Sequence, residues 1–165
     1  MVWVLAVDGR AGAGKTTLAA TVAAALAADG ERVGVLHMDD LYPGWSGLAA
    51  GSAALAEEVL APLAAGRTAR PRRWDWAAGR HTGVLELPPV DVLIVEGVGS
   101  GARAGARHLS ALLWLEAPEE VRRARALGRD GAVFAPHWDG WARQEADYLA
   151  RDGVRERADA VVRTA

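Results

Sequence analysis

The sequence predicts an α/β fold: a five-stranded, mostly parallel sheet held between helices as a three-layer sandwich, with a helical lid. Five short apolar runs recur along the 165 residues, and four segments of helical pattern alternate with them. Strands that alternate with helices are joined by crossovers, and crossovers produce parallel neighbours. The first apolar run feeds directly into Gly9-Arg10-Ala11-Gly12-Ala13-Gly14-Lys15-Thr16, which fits G-x-x-x-x-G-K-[ST] without a mismatch. That places the phosphate loop of a P-loop NTPase between the first strand and the first helix.

In chain order, Val2–Asp8 is an apolar run ending in glycine and reads as a buried strand. Lys15–Ala28 carries Leu18, Val22 and Leu26 at helical spacing, and Asp29-Gly30 ends it. Val33–Met38 is a second buried strand. Ser52–Leu63 reads as a helix with a kink at Pro62. Residues 67–87 mix Pro, Gly, Trp and Arg with short extended pieces such as Val84-Leu85-Glu86-Leu87, and read as a loop or hairpin insertion over a site, on its acceptor side. Val90–Val95 and Ala111–Leu115 are further strands, Pro118–Leu127 and His137–Ala150 further helices, and Ala160–Arg163 a last short strand. No repeat or linker divides the chain, so one domain over 1–165 is expected, with 118–136 as its lid.

Composition narrows the function. No window approaches the roughly 18–20 apolar residues of a membrane span. A formal net charge of −2 argues against broad nucleic-acid binding. There is no cysteine, which excludes disulfides and thiolate metal sites and fits a cytoplasmic protein. The start of the chain lacks the basic residues and cleavage site of a signal peptide and reads as strand. Lys15 is the only lysine, and it stands inside the phosphate loop.

Glycines let such a loop turn its N–H groups inward at phosphate oxygens, and the helix that follows offers its positive end to the same anion. Gly9, Ala11, Gly12, Ala13, Gly14, Lys15, Thr16 and Thr17 are therefore the expected ATP-binding residues. Lys15 would reach the β- and γ-phosphates and Thr16 would ligate Mg²⁺. The chain has no asparagine, so the N-K-x-D guanine motif of GTPases is absent. The third apolar strand segment ends Val95-Glu96-Gly97, with one carboxylate where AAA-type and transport ATPases carry adjacent acidic residues. Glu96 could hold a water on Mg²⁺, orient a substrate, or simply cap a loop.

The second strand ends His37-Met38-Asp39-Asp40-Leu41-Tyr42. Ligands gather at the carboxyl edge of a parallel sheet. A carboxylate leaving that edge is placed to take the proton of an attacking hydroxyl. Asp39 is the candidate, with Asp40 expected on the other side of the chain. Arg122, Arg125 and Arg129 share one helix face, opposite Val121, Ala124 and Leu127. Such a face is either solvated surface or a lid that neutralises phosphoryl charge, in which case Arg125 and Arg129 act in catalysis with Lys15 and Asp39.

Taken together these segments resemble the uridine kinase-like family of P-loop kinases, which includes phosphoribulokinase and pantothenate kinase relatives. The resemblance covers nearly the whole chain. Asp8 through Thr17 is similar to the family's D-G-x-x-G-x-G-K-T-T. Asp39 through Tyr42 resembles its D-x-F-Y, and Arg72 through Trp76 its P-x-Y-D-F beside the phosphate acceptor. Asp91 through Gly97 resembles D-x-[IVL]-x-x-E-G, and Val121 through Asp130 its arginine-rich lid. The resemblance implies a phosphotransferase acting from ATP·Mg²⁺ on a small-molecule hydroxyl. Asp39 would be the base, Asp39, Tyr42, Trp74 and Glu96 the acceptor-side residues, and Thr16 and Glu96 the metal ligands.

Departures from the family pattern leave the acceptor open. No acidic residue stands between Asp40 and Glu57, where uridine kinases carry the aspartate that grips the ribose diol. Ala126 replaces a lid arginine, and Gly79 stands where a histidine follows Y-D-F, with His81 two residues on. Trp45, Trp74 and Trp76 could stack on a ring, floor an apolar pocket, or pack loops. A nucleoside is the first acceptor to expect, a sugar, vitamin precursor or antibiotic the next, and an accessory ATP-binding protein with little transfer the reading from another class. The pattern is equally compatible with a monomer and a homodimer.

Overall fold

The computed structural model describes residues 2–165. Its main sheet has the order β2-β5-β1-β6-β7, with β1 Trp3–Gly9, β2 Val33–His37, β5 Val92–Glu96, β6 Ala111–Glu116 and β7 Ala160–Arg163. All four neighbouring pairs are parallel. A separate antiparallel hairpin joins β3 (Arg72–Asp75) to β4 (Arg80–Val84). The expected extended piece at 84–87 shrinks to the end of β4 and one bridge between Ala69 and Leu87.

Strand side chains alternate between the two faces of the sheet, and the two cores follow that alternation. Leu5 and Val7 of β1 with Val92 and Ile94 of β5 pack against α1 (Lys15–Ala28) through Leu18, Val22 and Leu26. Val4 and Ala6 with Leu93 and Val95 face the other way, onto Tyr42, Leu55, Leu60, Trp141 and Tyr148. Sheet between two helical layers is the three-layer sandwich. Each fully buried aliphatic side chain here, such as Ile94 or Leu36, contributes roughly 1.5–3 kcal/mol.

Helical structure after β2 begins earlier than the sequence indicates. It starts as α2 (Leu48–Ala54), widens into π-helical turns over Leu55–Leu60, and ends as α3 (Ala61–Ala64). Pro62 has no N–H to offer the carbonyl four residues back and its ring crowds that carbonyl, so the disturbance lies in the turn before it. α4 runs Glu119–Phe134, well beyond the expected Leu127, with a break at Gly131 (φ 53°, ψ −132°) that a side chain would make costly. α5 (Trp138–Asp152) and the short α6 (Val154–Arg157) return the chain to β7. Among the described residues no helix is long and apolar enough to cross a membrane.

The carboxylate of Asp8, fully buried at the end of β1, locks the fold around the phosphate loop. It accepts from the backbone N–H of Gly9 (2.7 Å), Gly99 (3.3 Å) and Gly101 (2.8 Å) and from the Tyr148 hydroxyl (2.7 Å). Burial pushes its carboxyl above the ordinary range, and these donors, with the charge of Lys15, pull it back. Tyr148→Phe removes one of the four donors without opening a cavity. The expected result is a loss of about 1.5–3 kcal/mol in urea-unfolding free energy, the usual value of a hydrogen bond to a charged group. An unchanged midpoint would show that the three amides suffice.

Candidate functional site

β1 and α1 are joined by a loop that only glycines could form at its tightest point. Gly12 has φ 79°, and a Cβ there would stand 2.1 Å from the backbone carbonyl oxygen of Arg122. α4 therefore lies directly on this loop. Gly14 caps α1 in the left-handed conformation, so the loop ends on the helix N-terminus, where free N–H groups and the helix dipole favour an anion. Lys15, the first residue of α1, is buried and its ammonium reaches back to the Arg10 carbonyl at 2.9 Å. Burial lowers its pKa, while Glu145, Asp8, Glu96 and Asp39 raise it.

A cavity of about 670 Å³ opens above this loop. One half is polar and holds Ala11, Gly12, Gly14, Lys15, Thr16 and Thr17, with Asp39, Glu96, Arg125 and Arg129 around them. Gly9 and Ala13 lie beneath this surface, and Ala13 is fully buried. The other half is aromatic: Tyr42, Trp45, Trp76, Phe134 and Trp141, with Val133 at the rim. Val133 is 70% exposed, unusual for an aliphatic residue beside a cavity mouth.

Glu96, at the end of β5, joins the polar half to β2. Its Oε1 accepts the Thr16 hydroxyl at 3.1 Å and lies 2.7 Å from His37 Nδ1. A hydroxyl and a carboxylate in contact are hard oxygen donors of the kind Mg²⁺ takes from a protein. Among the described residues no cluster of three or more acidic, histidine or cysteine side chains could hold a metal alone. The donor set therefore fits an ion that draws its remaining ligands from phosphates and water.

Asp39 and Asp40 part company in the 3₁₀ turn Met38–Asp40 after β2. Asp39 opens into the cavity. Asp40 pairs with Arg73 of the hairpin at 3.1 Å. Asp39 is exposed at the cavity surface, yet the protein around its carboxyl still pushes that group above its ordinary value, and the Glu96 charge adds to this; Arg129 and Lys15 oppose it. The Asp39 carbonyl accepts the Trp76 indole N–H at 2.9 Å, which anchors the hairpin across the cavity mouth.

The arginine stripe faces inward. Arg122 is buried and donates to the carbonyls of Ala117 and Ala11, each at 3.2 Å. Arg125 reaches the Gly12 carbonyl (3.4 Å), the Thr164 hydroxyl (3.0 Å) and the Ala165 carbonyl. Arg129 pairs with Asp130 at 2.7 Å at the cavity edge. The residues opposite, expected as the apolar contact face, are not the packed ones: Ala124 is exposed, and Ala126 on the arginine side is buried instead. Carbonyls at the back of the phosphate loop attract this basic face, which outweighs the weak apolar pull of Val121, Ala124 and Leu127.

Trp74, expected on the acceptor side, stands behind Trp76, edge-on to it at 6.4 Å and to His81 at 5.1 Å. Trp76 stands just past β3, in the turn of the hairpin, and lines the cavity in its place; Trp45 meets it at 4.9 Å between ring centres. Trp45 also stacks on His137 (4.4 Å, 8°) and Phe134 (5.2 Å, 17°). Tyr42 is buried, edge-on to Trp141, with its hydroxyl spent on the Val98 carbonyl at 2.6 Å. Sequence reasoning missed His37, Trp141 and Glu145. The one signal for the last two was the spacing Trp141, Glu145, Tyr148 on a single helix face.

No family model matches the chain, and no curated protein matches it by sequence. Solved structures do. A possible uridine kinase from Bacillus stearothermophilus superposes with a TM-score of 0.72 at 22% identity, over 96% of this chain and 87% of that one. A shikimate kinase from Bacteroides thetaiotaomicron has a TM-score of 0.55 at 16% identity, over 98% of this chain and 86% of that one. The chain thus shares its α/β three-layer fold with these solved structures.

The surroundings of Asp39 make its titration a direct check on the site. Its carboxyl should titrate above the ordinary 3.8, and Arg129→Ala should raise it further by removing an opposing positive charge. Carboxyl ¹³C chemical shifts followed against pH measure both. A value at or below 3.8 in the wild type would show that the cavity does not desolvate the Asp39 carboxyl.

Proposed function

We propose that this protein is an ATP-dependent phosphotransferase that moves the γ-phosphate onto a hydroxyl of a small molecule. The observation that supports it most is one cavity lined both by phosphate-loop residues and by a cluster of aromatic rings, with Asp39 also on its surface. A bare NTP-binding site has no need for the second half. The kinase fold of the neighbouring structures points the same way.

In this reading the loop amides and Lys15 hold the β- and γ-phosphates. Thr16 and Glu96 would hold Mg²⁺, which when bound would supply positive charge against the phosphates. Asp39 accepts the proton of the acceptor hydroxyl as that oxygen bonds to the γ-phosphorus and the bond to the departing ADP oxygen breaks. Its pKa, raised chiefly by desolvation, makes it a stronger base than an open carboxylate. Arg129, free to exchange Asp130 for a phosphoryl oxygen, and Arg125 balance charge that develops in transfer.

The acceptor should present a flat ring to Trp45, Trp76 and Trp141, and a nucleoside is the first candidate. The missing ribose-gripping carboxylate favours a second reading, an alcohol on a less polar ring. Tyr42 Oη, the Trp76 indole N–H and the Gln144 amide, which spans Trp45 and Leu48, are all already engaged. A cytoplasmic location, free of membrane and nucleic acid, accords with this chemistry.

Asp39→Asn keeps size and hydrogen-bonding reach but cannot take a proton. Mg²⁺·ATP affinity, read by calorimetry, should survive, while transfer in an ATP-consumption screen over nucleosides, sugars and ring alcohols should fall roughly 10²–10⁴-fold. Lys15→Ala should instead lose the affinity itself. If wild type binds ATP yet transfers to no acceptor, the accessory ATP-binding reading takes over. If Asp40→Asn is the inactive variant, the base has been misassigned.

A further inference from the structure

A carboxylate sits inside a loop built to attract anions. Glu145 of α5 is almost fully buried, and its Oε1 accepts the backbone N–H of Ala11 at 2.6 Å. Ala11 is the third residue of the phosphate loop. Its carbonyl is held from the opposite side by the Arg122 guanidinium of the lid helix at 3.2 Å. One residue of the loop is thus gripped at its N–H by a carboxylate oxygen on α5 and at its C=O by a guanidinium on α4.

Two roles are open to a negative charge in this position. It could compete with phosphate for Lys15 and act as a brake, or it could hold the loop in the shape that phosphate needs. The contacts favour the second. Lys15 is bonded to the Arg10 carbonyl, and no ion pair joins it to Glu145 among the described residues. Lys15, Arg10 and Arg122 nevertheless surround the carboxylate and offset its charge. Along the same face of α5, Tyr148 reaches Asp8 immediately before the loop, so the helix is tied at both ends of the segment from Asp8 to Ala11. Trp141, one turn earlier on that face, belongs to the aromatic wall.

We infer that Glu145 is a positioning residue, which fixes the first half of the phosphate loop through the Ala11 N–H and keeps it in register with the aromatic half of the cavity. The role belongs to the oxygen acceptor and its reach, not to the charge. It rests on the proposal that nucleotide phosphates occupy the loop.

Two near-isosteric variants separate reach from charge. Glu145→Gln keeps an acceptor oxygen at the same reach and removes the charge. Glu145→Asp keeps the charge but withdraws it by one methylene, roughly 1.5 Å. Calorimetric titration with Mg²⁺ and adenylyl-imidodiphosphate is the readout, with thermal melting to establish folding. The Gln variant should bind within about threefold of wild type, and the Asp variant roughly tenfold or more weakly, as loss of a hydrogen bond to a charged group implies. The reverse order, tighter binding by Gln than by wild type beyond that margin, or a Gln variant that does not fold, overturns the inference. Wild type that binds no nucleotide refutes the phosphate-site reading itself, whereas wild-type binding with the two variants alike refutes only the role of Glu145.

Discussion

Everything around the site depends on the burial of one carboxylate, Asp8. A charged group removed from water costs several kcal/mol unless hydrogen bonds replace its hydration. The chain meets that cost with two amides from the loop after β5, the amide of Gly9, and the hydroxyl of Tyr148 on α5. Satisfying Asp8 therefore places three separated stretches of chain at fixed positions about the end of β1. The phosphate loop starts from that point, and its geometry is inherited from those contacts.

A second constraint follows from charge. Lys15 is the only lysine of the chain, and Glu145, Asp8, Glu96 and Asp39 all act on it. Anions surround the cation and cations surround the anions: Arg122 and Arg125 close on the carbonyls behind the loop, and Arg129 waits at the edge with Asp130. A bound triphosphate would enter a lattice of charges already in place, which needs little reorganisation. The aromatic half is organised by packing instead, with Trp45 held among Trp76, Phe134 and His137.

The phosphate loop, the strand order's parallel sense and the position of Asp39 were legible because each is carried by a contiguous motif. Gly9–Thr16 encodes its own conformation, and the tandem aspartates diverge as residues leaving a strand do. What escaped was assembled from a distance. Glu145 and Ala11 are 134 residues apart, and no local pattern announces their contact. The inward turn of the arginine stripe was hidden because the carbonyls it satisfies belong to another segment. Trp74 lies within β3 and Trp76 in the turn beyond it, and the tertiary placement of the hairpin decides which of them lines the cavity. The end of α4 was misjudged because helix continued past Gly128, and only Gly131 breaks it.

In the proposed function the cavity takes triphosphate against the loop and a ring-bearing acceptor against the aromatic residues, with Asp39 serving both. A crystal structure with Mg²⁺ and a non-hydrolysable ATP analogue tests this most directly. The account predicts phosphate oxygens within hydrogen-bonding distance of Lys15 Nζ and the loop amides, the ion beside Thr16 and Glu96, and the wall of Trp45, Trp76 and Trp141 left unfilled. Adenine stacked in that aromatic wall, or a triphosphate bound away from Lys15, would contradict it.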